Sequence, residues 1–245
     1  MCFTVNVNIV KEELEKRFNT TFIDHDNYRP SYYYHAHSLP ELPVVANFDD
    51  DFSIRLLKWG LIPAWTRGEE EAKEIRFMTF NARAETIKTR PSFSGSYKSR
   101  RCMIPVRGFF EWQHKAGMKI PWYIYLPDSE IMMLAGLYDS WKDSITGKQL
   151  NTFTIITSRA NKLLEEIHNT KKRMPVILGE EEKDTWLSAS SSEAELDEVL
   201  EPFPDESIDA HTIGPLIGNQ AANRNKPELI LPYDYPEQSS LFPLL

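Results

Sequence analysis

From residue 44 to residue 157 the sequence is cut into short β-rich runs by glycine, proline and serine. This punctuation restricts the fold more than any other feature of the chain. The runs fall at 44–48, 52–59, 76–82, 102–106, 121–126, 131–138 and 151–157, and none exceeds eight residues. Their branched and aromatic side chains suit a pleated, half-buried surface, and the gaps between most of them are short. The first two read as a hairpin. Residues 3–9 (FTVNVNI) add strict alternation, with Phe3, Val5, Val7 and Ile9 on one face and Thr4, Asn6 and Asn8 on the other. A short charged helix is expected over 11–18, and 19–43, rich in Tyr, His, Pro and Asp, reads as a long loop. The acidic run 69–74 reads as the start of a solvated helix. Further helices are expected near 159–167, 180–187 and 192–200, with a mostly irregular, proline-rich segment over 202–245. No internal repeat or linker divides the chain, so the expectation is α+β: one β-rich domain over 1–245 with peripheral helices.

A chain of 245 residues can bury a full core, and 41% hydrophobic with 26% charged residues is ordinary for a globular protein. No apolar run approaches the length of a membrane span, and the N-terminus has no basic stretch followed by an apolar block. Cys2 and Cys102 are too few for a disulfide framework or a structural zinc site, which points to a reducing cytosol. His35 and His37 can face one way on an extended segment, but two histidines without Cys, Asp or Glu at ligand spacing do not make a metal site. The net charge of −8 is unevenly spread, since residues 180–209 hold twelve acids and one lysine. The stretch 83–119 holds nine basic residues against Glu85 and Glu111 alone. Segregation of this kind can leave a basic face on an acidic protein, and the local face governs phosphate binding.

Cys2 stands directly after the initiator methionine. If Met1 is trimmed, this residue carries a thiol and a free α-amine on adjacent carbons, with reference pKa values of about 8.5 and about 8. A 1,2-aminothiol condenses with an aldehyde to an imine, and the sulfur then closes a five-membered thiazolidine ring on the same carbon. The alternative is a cysteine that simply opens a buried strand. Alternation over 3–9 weighs against this, because it sets Cys2 off the core face.

Four other polar residues invite a chemical reading. Asn81 and Arg83, two apart in a strand-like run, project to the same face. Glu111 lies among aromatics in GFFEW, where burial raises a carboxyl toward values useful for proton transfer, or where a nearby arginine could pair with it. His168 ends a helical stretch, as a catalyst or as a cap. Trp59 and Trp65 bracket a proline turn, and for Trp59 core packing is the expected role.

Taken together, Met1-Cys2, 59–65 (WGLIPAW), 81–86 (NARAET), 90–93 (RPSF), 100–113 (RRCMIPVRGFFEWQ), 135–141 (AGLYDSW), 153–161 (FTIITSRAN) and 167–178 (IHNTKKRMPVIL) resemble, in order, the SRAP family, named for SOS-response-associated peptidase. The resemblance implies a barrel-like core of antiparallel and mixed strands, and a sensor of abasic sites in single-stranded DNA that forms a thiazolidine crosslink. On that likeness Cys2 is the nucleophile and Asn81 positions it and the sugar. Glu111 transfers protons during imine formation and ring closure, and His168 assists the imine step. Arg83 holds a phosphate, with Arg173 a second contact, and Trp65 and Trp112 face the DNA around the missing base. The chemistry implies no cofactor, no membrane and no obligate protein partner.

This sequence departs from the family pattern in three places. Phe3-Thr4 stand where Gly-Arg is common, Tyr34-His35-Ala36-His37 replace an Asn-Val-Ala-Pro loop, and four residues rather than one separate His168 from Arg173. Two other readings use the same residues. An N-terminal-nucleophile amidotransferase would need an oxyanion hole and a synthase domain that 245 residues do not accommodate. A non-covalent single-strand binding module would leave Cys2 incidental.

Overall fold

The hairpin is the seed of the architecture seen in the computed structural model, which describes residues 2–49 and 51–235. In chain order the strands are β1 Thr4–Val7, β2 Ser31–His35, β3 Glu41–Phe48, β4 Asp51–Trp59, β5 Asn81–Arg83, β6 Arg101–Val106, β7 Gly108–Lys115, β8 Met118–Tyr125, β9 Met132–Lys142, β10 Gln149–Arg159, β11 Arg173–Pro175, β12 Ile177–Leu178 and β13 Asp209–Thr212. The helices are α1 Lys11–Phe18, α2 Gly68–Met78, α3 Pro91–Ser99, α4 Lys162–Ile167, α5 Glu182–Leu187 and α6 Glu193–Val199. No helix among the described residues is long and apolar enough to cross a membrane.

β3 and β4 pair antiparallel with Val45 opposite Ile54. β6 then pairs with β3, β9 with β6 and β10 with β9, all antiparallel, and β10 returns to β4 in parallel. Five strands thus close a mixed barrel, and closure leaves no exposed edge in that ring. Closure also explains why β6 reads as an unbroken buried run (RCMIPV) instead of alternating: core lies on one face and helices or a second sheet on the other. Close approach fixes one residue here. A Cβ at Gly136 would stand 2.3 Å from Ile104 Cδ1 and 2.7 Å from the Thr154 carbonyl oxygen. A second, wholly antiparallel sheet runs β13-β8-β7-β1-β2. The structure is α+β, as expected, with its helices around the sheets.

Several expected elements differ. Residues 76–82 do not form a strand. Glu69–Glu71 favour the positive end of a helix, and Ala72, Ile75 and Arg76 give α2 a buried stripe, so the strand shrinks to β5. The expected loop over 19–43 contains β2, built from the aromatic run SYYYH, and the first residues of β3. β7 and α3 were not foreseen. Pro91 takes the first turn of α3, where its missing N–H costs nothing, although PSFSGSYKS looks like a turn. β10 continues to Arg159, and α4 starts only after Asn161, whose side chain accepts from the Leu164 N–H. α6 matches its expected place because Ser192 and Glu195 form a reciprocal capping box. Within the stretch read as irregular, 209–212 adds β13 to the edge of β8.

Candidate functional site

β1 delivers Cys2 to the seam between the second sheet and the barrel. Both faces of β1 are covered: Thr4 and Cys2 are fully buried and Asn6 is 1% exposed. The expectation that the Cys2 face lies off the core is therefore corrected, since alternation identifies two faces but not which of them the fold covers. The Cys2 carbonyl accepts from Asn81 Nδ2 at 2.9 Å, and the sulfur lies 3.8 Å from the Thr4 carbonyl. Burial, and next the nearby Glu111 charge, push the thiol well above its ordinary value, so the resting sulfur is protonated. The expected removal of Met1 concerns a residue outside those described.

Asn81 reaches this point because β5 pairs in parallel with β10, with Asn81 opposite Ile155 and Arg83 opposite Thr157. Ala82 between them is buried, while Asn81 and Arg83 both line one cleft of about 470 Å³ with Met78, Arg90 and Ser92. Glu111 arrives from β7, opposite Trp122, and is 3% exposed. Burial lifts its carboxyl from an ordinary 4.5 to about 7, so both protonation states are populated near neutrality. His168 Nε2 stands 3.7 Å from Glu111 Oε2. The other ring nitrogen, Nδ1, is 2.8 Å from the Arg173 carbonyl oxygen. A carbonyl can only accept, so in the neutral ring Nδ1 carries the hydrogen and Nε2 the lone pair. Burial lowers this imidazole to about 4, which keeps it neutral at physiological pH.

Cys2, Asn81, Glu111 and His168, from four separate elements, thus meet at one place. The remaining expected residues divide. Arg83 is exposed at the cleft. Trp65 is 52% exposed, with its indole N–H donating to the Pro91 carbonyl. Trp112 is half-buried beneath Lys119, whose Nζ is 5.1 Å from the ring centre. Trp59 is buried and donates to the Phe80 carbonyl, in its expected packing role. Arg173 does not face solvent in this structure: its guanidinium turns inward to Glu85 and Thr157.

Sequence reasoning missed Phe77, Met78 and Arg90. Phe77 and Met78 are 51% and 71% exposed at the end of α2, and Met78 and Arg90 line the Asn81 cleft. Met78 with Arg83 and Arg90 gives the cleft an apolar and basic lining, and reading the end of this helix as a strand hides which residues project outward. His35 and His37 stack with ring centres 5.1 Å apart, and His35 Nδ1 lies 2.9 Å from Thr4 Oγ1. Among the described residues, no group of three or more His, Cys, Asp or Glu is placed to hold a metal.

The chain is 35% identical over 224 residues to the abasic site processing protein YoqW of Bacillus subtilis, covering 89% of this chain and 94% of that one. It is 31% identical over 230 residues to the abasic site processing protein HMCES of Xenopus tropicalis, covering 84% and 67% of the two chains. A crystal structure of a protein from Bacteroides thetaiotaomicron superposes with a TM-score of 0.89 at 38% identity, over 95% of this chain and all of that one. A Bordetella bronchiseptica protein at 22% identity and a TM-score of 0.74, covering 87% of this chain and all of that one, shares the fold. The family profile for SOS response associated peptidase matches residues 1–220, and the chain belongs to that family, SRAP.

Proposed function

We propose that this protein captures abasic sites in single-stranded DNA as a covalent thiazolidine adduct of Cys2, formed after Met1 is removed. The observation that carries the reading is the convergence of Cys2, Asn81, Glu111 and His168, with Asn81 also lining a cleft that bears Arg83 and Arg90. The α-amine of Cys2 attacks the ring-opened sugar aldehyde, and the carbinolamine loses water to give an imine. Glu111, with its carboxyl near 7, donates the proton to the departing hydroxyl and can recover one afterwards. The thiol then adds to the imine carbon, its proton moving to the ring nitrogen through His168 Nε2 or the Glu111 carboxylate. One water leaves overall, and no oxidant, metal or cofactor enters the balance.

A protonated resting thiol is an asset here, because the amine must react first. Asn81 holds the Cys2 carbonyl and so orients both nucleophiles. Arg83 supplies phosphate attraction, with Arg90 beside it, and Trp65 and Trp112 with Phe77 and Met78 offer apolar surface where a base is missing. Aromatic stacking of this kind is worth ~1–3 kcal/mol per base. The peptidase of the family name would act on the bond between Met1 and Cys2, exposing the amine. The chain works as one domain in the cytoplasm, with residues 209–233 packed upon it; the end of the segment expected to be irregular, 236–245, lies outside the described residues.

Incubation with single-stranded DNA bearing one abasic site should give a heat-stable adduct whose mass is the sum of the partners less one water. Cys2→Ala should abolish that adduct and leave reversible binding nearly intact. An adduct that persists in Cys2→Ala, or that forms equally well on protein retaining Met1, would sink the proposal.

A further inference from the structure

We infer that Glu85 and Arg173 form a clasp that fixes the tautomer and orientation of His168, so that Arg173 serves the site as a positioning residue and not as a phosphate contact. This rests on the function proposed above. Arg173 is 8% exposed. Its Nη1 and Nη2 engage the two oxygens of Glu85, the second at 3.0 Å, in a bidentate, charge-assisted pair. Nη2 also donates to the Thr157 carbonyl at 2.5 Å and lies 3.3 Å from Thr157 Oγ1. To reach a phosphate the side chain would have to abandon all of these bonds in a buried setting.

The same residue's carbonyl holds His168. Between His168 and Arg173 the chain makes a compact turn. The Lys172 N–H donates to the His168 carbonyl at 2.8 Å, and Lys172 sits in the left-handed region at φ 50°. The ladder then places Arg173 opposite Arg159 on β10. Arg173 is thus pinned by its side chain and its strand while its carbonyl accepts from Nδ1, which leaves the Nε2 lone pair facing Glu111. Glu85 follows Asn81 and Arg83 on the same short segment, so one ion pair sets the arm bearing Asn81 against the turn bearing His168. Four residues between His168 and Arg173 make that turn a long one, and a longer turn has more to gain from an anchor.

The test compares Glu85→Gln, Arg173→Ala, Arg173→Lys and the Glu85→Gln/Arg173→Ala double variant with the unmodified protein. Three quantities are read: the pH profile of the adduct-forming rate, the salt dependence of binding to undamaged single-stranded DNA, and the His168 ring nitrogens by proton–nitrogen NMR. A clasp predicts that Glu85→Gln and Arg173→Ala each slow the adduct by about tenfold to a hundredfold. Each should displace the pH profile and replace the Nδ1–H form by a tautomer mixture. The double variant should be no slower than the slower single, and Arg173→Lys should recover part of the rate. DNA affinity and its salt slope should stay unchanged. The inference is overturned if Glu85→Gln leaves the rate, the profile and the imidazole signals as they were. It is equally overturned if freeing Arg173 in Glu85→Gln tightens DNA binding while Arg173→Ala flattens the salt slope. Should Arg173→Ala fail to fold, Glu85→Gln decides alone, since Glu85 is half-exposed. If unmodified protein forms no adduct, the functional proposal falls, while the ring spectra still test the clasp.

Discussion

Glu111 and His168 face each other with opposite titration behaviour, and their effects on stability oppose as well. Glu111 binds its proton more tightly folded than unfolded, so it lowers stability as pH rises from 4.5 to about 7. That amounts to about 3 kcal/mol if the full displacement acts on folding. His168 is harder to protonate folded than unfolded, so it raises stability as pH rises from about 4 to 6.5. The two slopes largely cancel between pH 4.5 and 6.5. Glu111→Gln should therefore unmask a rise in urea midpoint across that interval, and His168→Gln should unmask a fall. Identical midpoint–pH curves in both variants would show that the pair is not buried as described. The residue scale is also where the sequence was least informative. Spacing two apart announces the shared face of Asn81 and Arg83, but Glu111 and His168 meet only because α4 ends against β7. Cys2 looked exposed because alternation cannot reveal that a sheet is covered on both sides.

At the scale of elements, legibility followed burial. The runs at 102–106 and 151–157 lie wholly inside β6 and β10, and 121–126 overruns β8 by one residue; their branched and aromatic side chains suit a strand whatever its neighbour. Segments whose conformation depends on a partner are the hard ones: 76–78 joins α2, not a strand, because its stripe finds a core, and 91–99, for which no element is expected, is helical despite a turn-like composition. Barrel closure was the least legible step, since it requires β10 to return beside β4. Gly136 tests it. Gly136→Ala drives a methyl group into Ile104 and the Thr154 backbone, and should cost about 1–3 kcal/mol, the usual penalty for overpacking. The urea midpoint should drop at unchanged slope. An unaltered midpoint would mean that β6, β9 and β10 are not packed this closely.

For the whole molecule, a charge of −8 is a poor guide to what the cleft attracts. Part of the acidic block is already engaged: Glu180 with Arg17, Glu193 and Asp197 with Lys88, and Glu201 with Arg159. Arg83 and Arg90 by contrast stand exposed at the cleft and belong to no ion pair found among the described residues. Affinity for undamaged single strands should accordingly fall with salt, each phosphate contact contributing a slope of about 0.7 in log units. Arg83→Gln with Arg90→Gln should flatten that slope by about 1.4. The same loss on removing a lysine remote from the cleft would argue for diffuse attraction instead.

One strand has an outsized part in all this. β10 is shared by the barrel, by β5 with its asparagine and by β11 with its arginine. A single rod therefore carries the arm bearing Asn81 and the strand that anchors the His168 turn, and thermal breathing of the outer helices can proceed without altering the distance between those two. In deuterated water, the amides of 152–157 should be the last in the molecule to exchange, after those of α5 and α6 have long been replaced.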